Sequence, residues 1–282
     1  MDYHADRFDD FSCVFRDEKG RILAVIPANL RDGVMISHQG LSFGGLIMTP
    51  KLPGAAVLEI FEALVQFARA ERVSRIVYKR LPDIYSAIPA QEDLYALFRH
   101  GAVLTRRDLG SAVCLAERYS YTKGRKWAVN KAKKAGIVVR EVADLAAYWP
   151  LLNAVLEKQH DTKAVHTLDE ISRLQAAFPD NIKVFGATLP GSNELIAGTL
   201  VFINGMVVHT QYMANSDLGR LHCALDLVID QLMHQFADTA RYVSFGISTE
   251  EAGTVLNEGL LAQKEGFGAR AIIHDFYDIT II

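Results

Sequence analysis

The feature that most constrains the fold is a run of strand signals followed directly by an amphipathic helix in the second half of the chain. Asn204-Gly205 separates the apolar segments 195–203 and 206–214, and Asn-Gly between two such runs is typical of a tight β-hairpin. The next segment, 221–237, carries apolar residues at helical spacing. Strands that lead into a helix of this kind predict an α/β fold, with one face of a sheet covered by the helix.

The complete second half has the predicted order β-α-α-β-β-β-α-β-α-β. Thr167, with Glu170 three residues later, forms a capping-box signal at the start of its second helix. The predicted strands are 137–142, 182–188, 195–203, 206–214, 241–245 and 271–281, and the predicted helices are 144–160, 167–178, 221–237 and 251–265.

The first half shows a shorter version of the same order. We predict strands at 11–15, 21–28, 34–37, 41–48, 75–79, 103–108 and 111–116, and helices at 54–71 and 91–99. Two tandem domains follow from this repetition, one over 1–120 and the other over 137–282. A basic helix over 121–136 joins them, because Thr122 is a candidate N-cap and residues 118–140 contain eight Lys or Arg and no acidic residue. This helix is either a solvated connector or a phosphate-binding surface.

The composition fits a globular protein, and it limits the classes of partner. The chain has 282 residues, a formal net charge of -3 and three cysteines without metal-ligand spacing. There is no overall basic charge for nucleic acid, no apolar run long enough for a membrane span, and no signal-peptide pattern at the start. We expect a cytoplasmic protein without a metal cofactor.

Three stretches carry a resemblance to a known family. They are His209-Thr-Gln-Tyr-Met-Ala-Asn-Ser-Asp-Leu-Gly-Arg220, Phe245-Gly-Ile-Ser-Thr-Glu250 and Asn257-Glu-Gly-Leu-Leu-Ala-Gln-Lys-Glu-Gly-Phe-Gly268. Together with the tandem order, they resemble the GNAT acyltransferase superfamily, in particular its FemA/FemB/FemX group and related envelope and polysaccharide proteins. The resemblance implies two GNAT-like domains, each a mixed, mostly antiparallel sheet flanked by helices. It also implies that the sheet of the second domain splays after its fourth strand to admit an acyl donor.

The donor site is predicted at the end of the fourth strand and the start of the next helix. Backbone N–H groups at a helix start are unpaired and attract phosphate, and Ser216, Gly219 and Arg220 lie in this segment. Ser216 stands where the usual GNAT phosphate motif has Gln or Arg. Ala262 stands where many GNAT enzymes have a Tyr that acts as the general acid for the leaving thiol. We also assign Tyr212, Asn257 and Lys264 to the donor site.

The catalytic and acceptor groups are predicted around the same sheet opening. His166, in the loop that borders the acceptor in GNAT folds, and Glu250, beside the expected opening, are the candidate proton relays. The residues assigned to the acceptor are Lys79, Arg80, Tyr85, His209, Gln211, Ser248 and Thr249.

Three hypotheses for function follow. The first is an N-acyltransferase that moves an acyl group from acyl-CoA, its co-substrate, to a small amine such as an amino sugar or a cell-envelope precursor. The second is a FemX-like transferase that uses aminoacyl-tRNA, so that charged tRNA would be the one nucleic-acid partner. The third is a non-catalytic binding protein on a GNAT scaffold. A homodimer is a further possible assembly.

Overall fold

A computed structural model describes residues 2–160 and 164–282 of the chain. The strands are β1 Asp9–Asp10, β2 Cys13–Arg16, β3 Ile22–Ile26, β4 Asn29–Arg31, β5 Val34–Ile36, β6 Ile47–Met48, β7 Arg75–Lys79, β8 Val103–Cys114, β9 Val138–Val142, β10 Ile182–Thr188, β11 Leu195–Ile203, β12 Val207–Asn215, β13 Tyr242–Ile247, β14 Thr249–Glu250, β15 Val255–Leu256 and β16 Arg270–Thr280. The helices are α1 Gly54–Ala70, α2 Glu92–Arg99, α3 Lys123–Lys134, α4 Leu145–His160, α5 Leu168–Ala177, α6 Asp217–His222, α7 Ala224–Gln235 and α8 Glu258–Glu265.

Two compact units contain these elements. Unit 1 comprises residues 1–109, 249–256 and 272–282, and unit 2 comprises 110–248 and 257–271. Both units are therefore discontinuous in sequence, whereas the predicted domain ranges are continuous. The difference arises because β8 and β16 each contribute residues to both units.

Unit 1 is a mixed sheet covered by two helices. Its strands follow the order β1-β4-β5-β7-β16-β8. Neighbouring strands run antiparallel in the pairs β1–β4, β4–β5 and β7–β16, whereas β5 and β7 are parallel. The buried face of α1 packs on this sheet through residues at helical spacing, Val57, Ile60, Phe61, Leu64, Val65 and Ala68. A small sheet of β2, β3 and β6 adds Ala24 and Ile26 to the same core.

Unit 2 is a second mixed sheet with a hydrophobic core on each face. Its strands follow the order β8-β13-β12-β11-β10-β9, and all neighbours are antiparallel except β12 and β13. Successive strand residues point to opposite faces. Accordingly, Phe185 and Val201 pack with α3 and α7, while Val184 and Leu200 pack with α4 and α5. The structure thus confirms the predicted mixed, mostly antiparallel sheets flanked by helices.

Several local predictions are confirmed. Thr122 caps α3 by accepting a hydrogen bond from the Arg125 N–H, and Thr167 and Glu170 form the complete capping box of α5. Gly205 has a φ of +84° at the turn between β11 and β12, which is the left-handed conformation that an Asn-Gly hairpin requires.

Other predicted elements are wrong, and glycine or local side chains explain why. The expected strand 41–48 is reduced to β6, since Gly45 has a φ of +82° and a Cβ on Gly44 would lie 2.0 Å from the Ser37 carbonyl oxygen. The two strands at 103–108 and 111–116 are the single strand β8. The helix at 251–265 begins only at Glu258, because residues 249–256 form the β14–β15 hairpin around Gly253, at a φ of +91°.

The predicted helix 221–237 is two helices. Ser216 caps the short helix α6 over residues that were predicted as a loop, and Cys223 separates it from α7. Cys223 has a φ of +55°, a left-handed conformation that costs a non-glycine residue about 1–2 kcal/mol. A purely periodic pattern gives no sign of this break.

Candidate functional site

The sheet of unit 2 opens between its fourth and fifth strands, β12 and β13. The two strands pair in parallel only from Val207↔Tyr242 to His209↔Ser244. Beyond that point β12 continues to Asn215 and β13 to Ile247 without pairing to each other. The splay predicted from the resemblance is therefore present, after the fourth strand of this unit.

A cavity of about 460 Å³ occupies the opening. Met213 and Asn215 of β12 and Phe245 of β13 line its sides, and Val155 of α4 lies at one end. The remaining lining comes from α3, α6, α7, α8 and the turn after α8, through Arg125, Arg220, Leu225, Asp226, Ile229, Leu260, Gln263, Lys264 and Phe267. Its size falls within the range of small-molecule binding sites.

Positive charge exceeds negative charge in this lining. Arg125 is neutralised by an ion pair with Asp226 and lies 4.8 Å above the Phe267 ring. Arg220 is exposed and makes one hydrogen bond, of 3.3 Å, from Nε to the Asn215 carbonyl oxygen. Lys264 adds a further positive charge, so that the cavity is suited to an anionic group.

Lys264 is a buried ammonium that is held only by neutral acceptors. Its Nζ donates to the Gly246 carbonyl oxygen at 3.1 Å, the Ile247 carbonyl oxygen at 2.6 Å and the Ser248 hydroxyl at 2.8 Å. Its side chain has no carboxylate partner within residues 2–160 and 164–282. Burial lowers the pKa of Lys264 from 10.5 to about 8, so the group is still mainly charged at neutral pH.

His209 lies at the point where β12 and β13 separate. Its Nδ1 lies 3.2 Å from the Ser244 hydroxyl oxygen, and a Cβ on Gly246 would lie 3.4 Å from its ring. Burial, with a smaller effect from the charge of Lys264, lowers the pKa of His209 to about 4. The imidazole is therefore neutral at pH 7 and can accept a hydrogen bond or a proton. Gln211, two residues further along β12, is half-buried.

The predicted phosphate loop is the capped start of the short helix α6. The Ser216 hydroxyl accepts a hydrogen bond from the Gly219 N–H at 3.0 Å. A Cβ on Gly219 would lie 2.3 Å from both Asn215 Oδ1 and the Ile196 carbonyl oxygen. Gly219 is thus required for close packing of α6 against β11. Asn215 Oδ1, in contrast, is buried without a hydrogen-bond partner in the described chain.

His166 and Tyr212 form a contact that the sequence did not indicate. Tyr212 was predicted to bind the donor, but its hydroxyl lies 2.7 Å from His166 Nδ1 and also accepts a 3.3 Å hydrogen bond from the His166 N–H. The Tyr212 ring packs edge-on against Trp149, in the core under α4. A hydroxyl and an imidazole at this distance can exchange a proton.

The residues around Glu250 divide between the two units. Ser248 is buried in unit 2 as the hydroxyl partner of Lys264, and Asn257 caps α8 by accepting from the Leu260 N–H at 2.9 Å. Thr249 and Glu250 form β14 in unit 1, where the Thr249 hydroxyl donates to Asp108 Oδ1 at 2.9 Å. Glu250 is exposed.

In unit 1 the predicted acceptor cations have internal partners. The buried ammonium of Lys79 donates to the His38 and Leu41 carbonyl oxygens, and burial, helped by nearby Arg106, lowers its pKa to about 8. Arg80 is buried between Asp83 and Asp93. Tyr85 packs on Phe43 with ring centroids 4.6 Å apart.

Within the described ranges no group of three or more His, Cys, Asp or Glu side chains is placed to hold a metal ion. In the same ranges no helix has the length and apolar character needed to cross a bilayer.

Comparisons with known proteins agree with this geometry at the level of the fold. No protein-family model and no curated protein matches the chain. Among solved structures, FemX matches with a TM-score of 0.68 at 11% identity over 98% of this chain and 89% of that chain. L-PGS from Bacillus licheniformis matches with a TM-score of 0.66 at 10% identity, over 95% of this chain and 84% of that chain.

A third match is the C-terminal domain of a putative lysylphosphatidylglycerol synthetase from Agrobacterium fabrum, with a TM-score of 0.65 at 11% identity over 95% of this chain and 84% of that chain. This chain shares its fold with FemX. The predicted GNAT-like fold is thereby confirmed, and at these identities the similarity concerns the fold alone.

Proposed function

We propose that the protein is a transferase that moves an acyl or aminoacyl group from a phosphate-bearing carrier to an amine. The observation that carries this proposal is the cavity between the splayed strands β12 and β13, with the buried charge of Lys264 in its lining. The structural similarity to FemX and to two lysylphosphatidylglycerol synthetase structures supports the same reaction class.

The chemistry needs no covalent enzyme intermediate. The amine nitrogen attacks the carbonyl carbon of the donor, a C–N bond forms, and the carbonyl oxygen carries negative charge in the tetrahedral intermediate. Collapse breaks the C–S bond of a thioester or the C–O bond of an ester, and the carrier leaves after taking a proton. The protein therefore has to position the two substrates, stabilise the oxyanion and move one proton.

Two groups beside the opening fit these tasks electrostatically. The Lys264 ammonium donates its hydrogen bonds to protein groups, so it would act on the oxyanion or the carrier phosphate through its charge. We assign neutral His209, which lies where β12 and β13 separate, to contact with the acceptor amine. His166, with Tyr212 as its partner, and Glu250 remain our candidates for the proton relay.

Acyl-CoA is the first carrier that we propose, with a small amine such as an amino sugar as the acceptor. Its phosphates would lie towards Arg220 and Arg125, both of which line the cavity. Ser216 and Gly219 stay part of the proposed donor site, with the Ser216 hydroxyl capping the start of α6 through the Gly219 N–H.

Aminoacyl-tRNA is the second candidate, and the surface of α3 favours it. Trp127 is 61% exposed, and Lys131 Nζ lies 5.1 Å from its ring centre. Exposed aromatic rings next to Lys or Arg stack on unpaired bases, and the positive charge follows the nucleic-acid backbone. Arg125, on the same helix, lies in the cavity lining. A single helix would thus contact both the RNA and the end that carries the amino acid.

The test is a binding and turnover comparison with three probes: acetyl-CoA, a longer acyl-CoA and a mixture of charged tRNAs. Arg220→Ala should weaken binding of the true donor by about 1.5–3 kcal/mol, which raises its Kd roughly 10- to 150-fold, as expected for the loss of a hydrogen bond to a charged group. Arg173→Ala, at an exposed position on α5, is the matched control.

The three probes separate the candidates. Trp127→Ala should weaken the binding of charged tRNA and leave the binding of acyl-CoA unchanged. If Arg220→Ala leaves the Kd of a bound donor unchanged, the cavity is not the donor site. Binding of a donor without turnover on any amine would favour the non-catalytic alternative.

A further inference from the structure

The cavity between β12 and β13 has an apolar wall that contacts to carrier phosphates do not explain. Its lining includes four side chains of one hydrophobic core: Leu225 and Ile229 of α7, Phe245 of β13, and Phe267 after α8. Each of these side chains is at most 9% exposed. Met213 of β12 lines the cavity as well and packs against the same core. Because protein cores are close-packed, this wall presents apolar surface of a fixed shape to the group that fills the cavity.

The charged side chains of the lining are more accessible than the apolar wall. Arg220 is exposed, and the paired side chains of Arg125 and Asp226 are 24% and 12% exposed. Arginine side chains at such a position suit the phosphates of a carrier, which stay partly hydrated. A carrier whose phosphates contact Arg220 and Arg125 directs its other end, the group to be transferred, towards the apolar wall.

The lining offers no partner to a positively charged group. Among its residues in the described chain, Asp226 is the one carboxylate, and Arg125 already pairs with it. The Lys264 ammonium lies next to the apolar wall, since its Nζ donates to the carbonyl oxygen of Gly246, one residue after Phe245. A second ammonium at this wall would be buried without a carboxylate and near a like charge, and both effects oppose its binding.

We propose that the transferred group has an apolar chain of several carbons that carries no positive charge. This inference rests on the proposed transferase function and narrows its donor. An acetyl group has no methylenes to bury against the wall, whereas each buried methylene strengthens binding about fourfold. A lysyl group has the length, but it brings an ammonium to the wall. The carrier is a CoA thioester or a tRNA ester, and the cavity recognises the same chain on either one.

The experiment is a calorimetric titration of the full-length protein with three CoA thioesters. Heptanoyl-CoA and 6-aminohexanoyl-CoA have chains of equal length, and only the second chain ends in an ammonium. Acetyl-CoA is the short reference. We expect the Kd of heptanoyl-CoA to be lower than that of acetyl-CoA by about fourfold for each methylene buried. We expect 6-aminohexanoyl-CoA to bind at least tenfold more weakly than heptanoyl-CoA. One tRNA acylated with leucine or with lysine gives the same contrast on the other carrier.

A charge introduced into the wall should change the preference. With Met213→Glu, the ratio of the Kd values of heptanoyl-CoA and 6-aminohexanoyl-CoA should shift at least tenfold in favour of the ammonium, because the carboxylate would pair with it. Met206→Glu is the matched control, since Met206 is also half-buried and lies outside the lining. It should keep the wild-type ratio. The wild-type titrations decide by themselves if Met213→Glu does not fold.

The possible failures are distinct. If the three chains bind with equal Kd on a carrier that the protein does bind, or if the lysyl ester binds as tightly as the leucyl ester, this inference is wrong and the transferase proposal stands. If neither CoA thioesters nor acylated tRNA bind, the proposed donor site is wrong and this inference falls with it.

Discussion

The charge of Lys264 should make the stability of the protein depend on pH in a specific direction. The folded pKa is about 8, against 10.5 for an ordinary lysine, because burial disfavours the charged form. Between these values the unfolded chain binds more protons than the folded chain. The free energy of unfolding therefore rises with pH from about 8 to 10.5 on account of this group, and the gain is lost again as the pH falls from 10.5 to 8.

The magnitude follows from the size of the shift. A difference of 2.5 units between 10.5 and 8 corresponds at 1.36 kcal/mol per unit to about 3 kcal/mol. Lys264 is only 3% exposed, so solvent screens this effect little. The figure is an upper bound, since local relaxation on deprotonation would reduce it.

Urea denaturation of the wild type and Lys264→Met at several pH values between 7 and 10.5 measures the effect. The difference between their unfolding free energies should change by about 2–3 kcal/mol in favour of the wild type across this range. Other titrating groups are common to both proteins and cancel. For Lys126→Met, at an exposed position on α3, the unfolding free energy should change with pH in parallel with that of the wild type. If the unfolding free energy of Lys264→Met also changes in parallel with that of the wild type, Lys264 is not a desolvated cation and the electrostatic argument for the cavity fails.

The remaining predictions concern catalysis and strain. Replacement of the proton relay, by His166→Ala or Glu250→Gln, should lower turnover about 10²- to 10⁴-fold with little change in donor Kd; if both variants retain the wild-type rate and pH profile, neither residue relays the proton. Tyr212→Phe should reproduce the His166→Ala effect if the 2.7 Å contact between these residues is part of the relay. Cys223 has a φ of +55°, so the Cys223→Gly variant should be more stable than the Cys223→Ala variant by about 1 kcal/mol in thermal or urea unfolding. Equal stabilities of the two variants would mean that the helix break relaxes without strain.

Periodicity and caps predicted those parts of the fold that local physics determines. Helix α1 was recognised because its apolar residues recur on one face, and α3 and α5 because Thr122 and Thr167 lie at cap positions. The opening between β12 and β13 was expected from the resemblance, together with the place of Lys264 near it. The apolar faces and the caps lie within, or directly beside, the helices that they specify.

The errors have a different origin, because tertiary contacts decide them. Residues 41–46 contain strand-forming side chains, yet Gly44 packs against Ser37 so closely that the segment leaves the sheet. The internal partners of Lys79 and Arg80, which are carbonyl oxygens for Lys79 and carboxylates for Arg80, have no local signal in the sequence either. Pairing between side chains remote in sequence, such as that of His166 with Tyr212, has no local signal at all.

Two unfavourable features of unit 2 lie at the same cavity, and their coincidence identifies the site better than any motif does. Cys223 holds a left-handed conformation immediately before Leu225 and Asp226, which line the cavity. Lys264, in the lining as well, keeps a charge in a place where burial opposes it. An apolar side chain would satisfy packing at Lys264, and a glycine would remove the strain at Cys223, so stability alone selects neither residue. Strain and desolvated charge concentrate where a protein acts on a ligand. In unit 2 that place is the opening between β12 and β13, where we propose that the acyl donor binds.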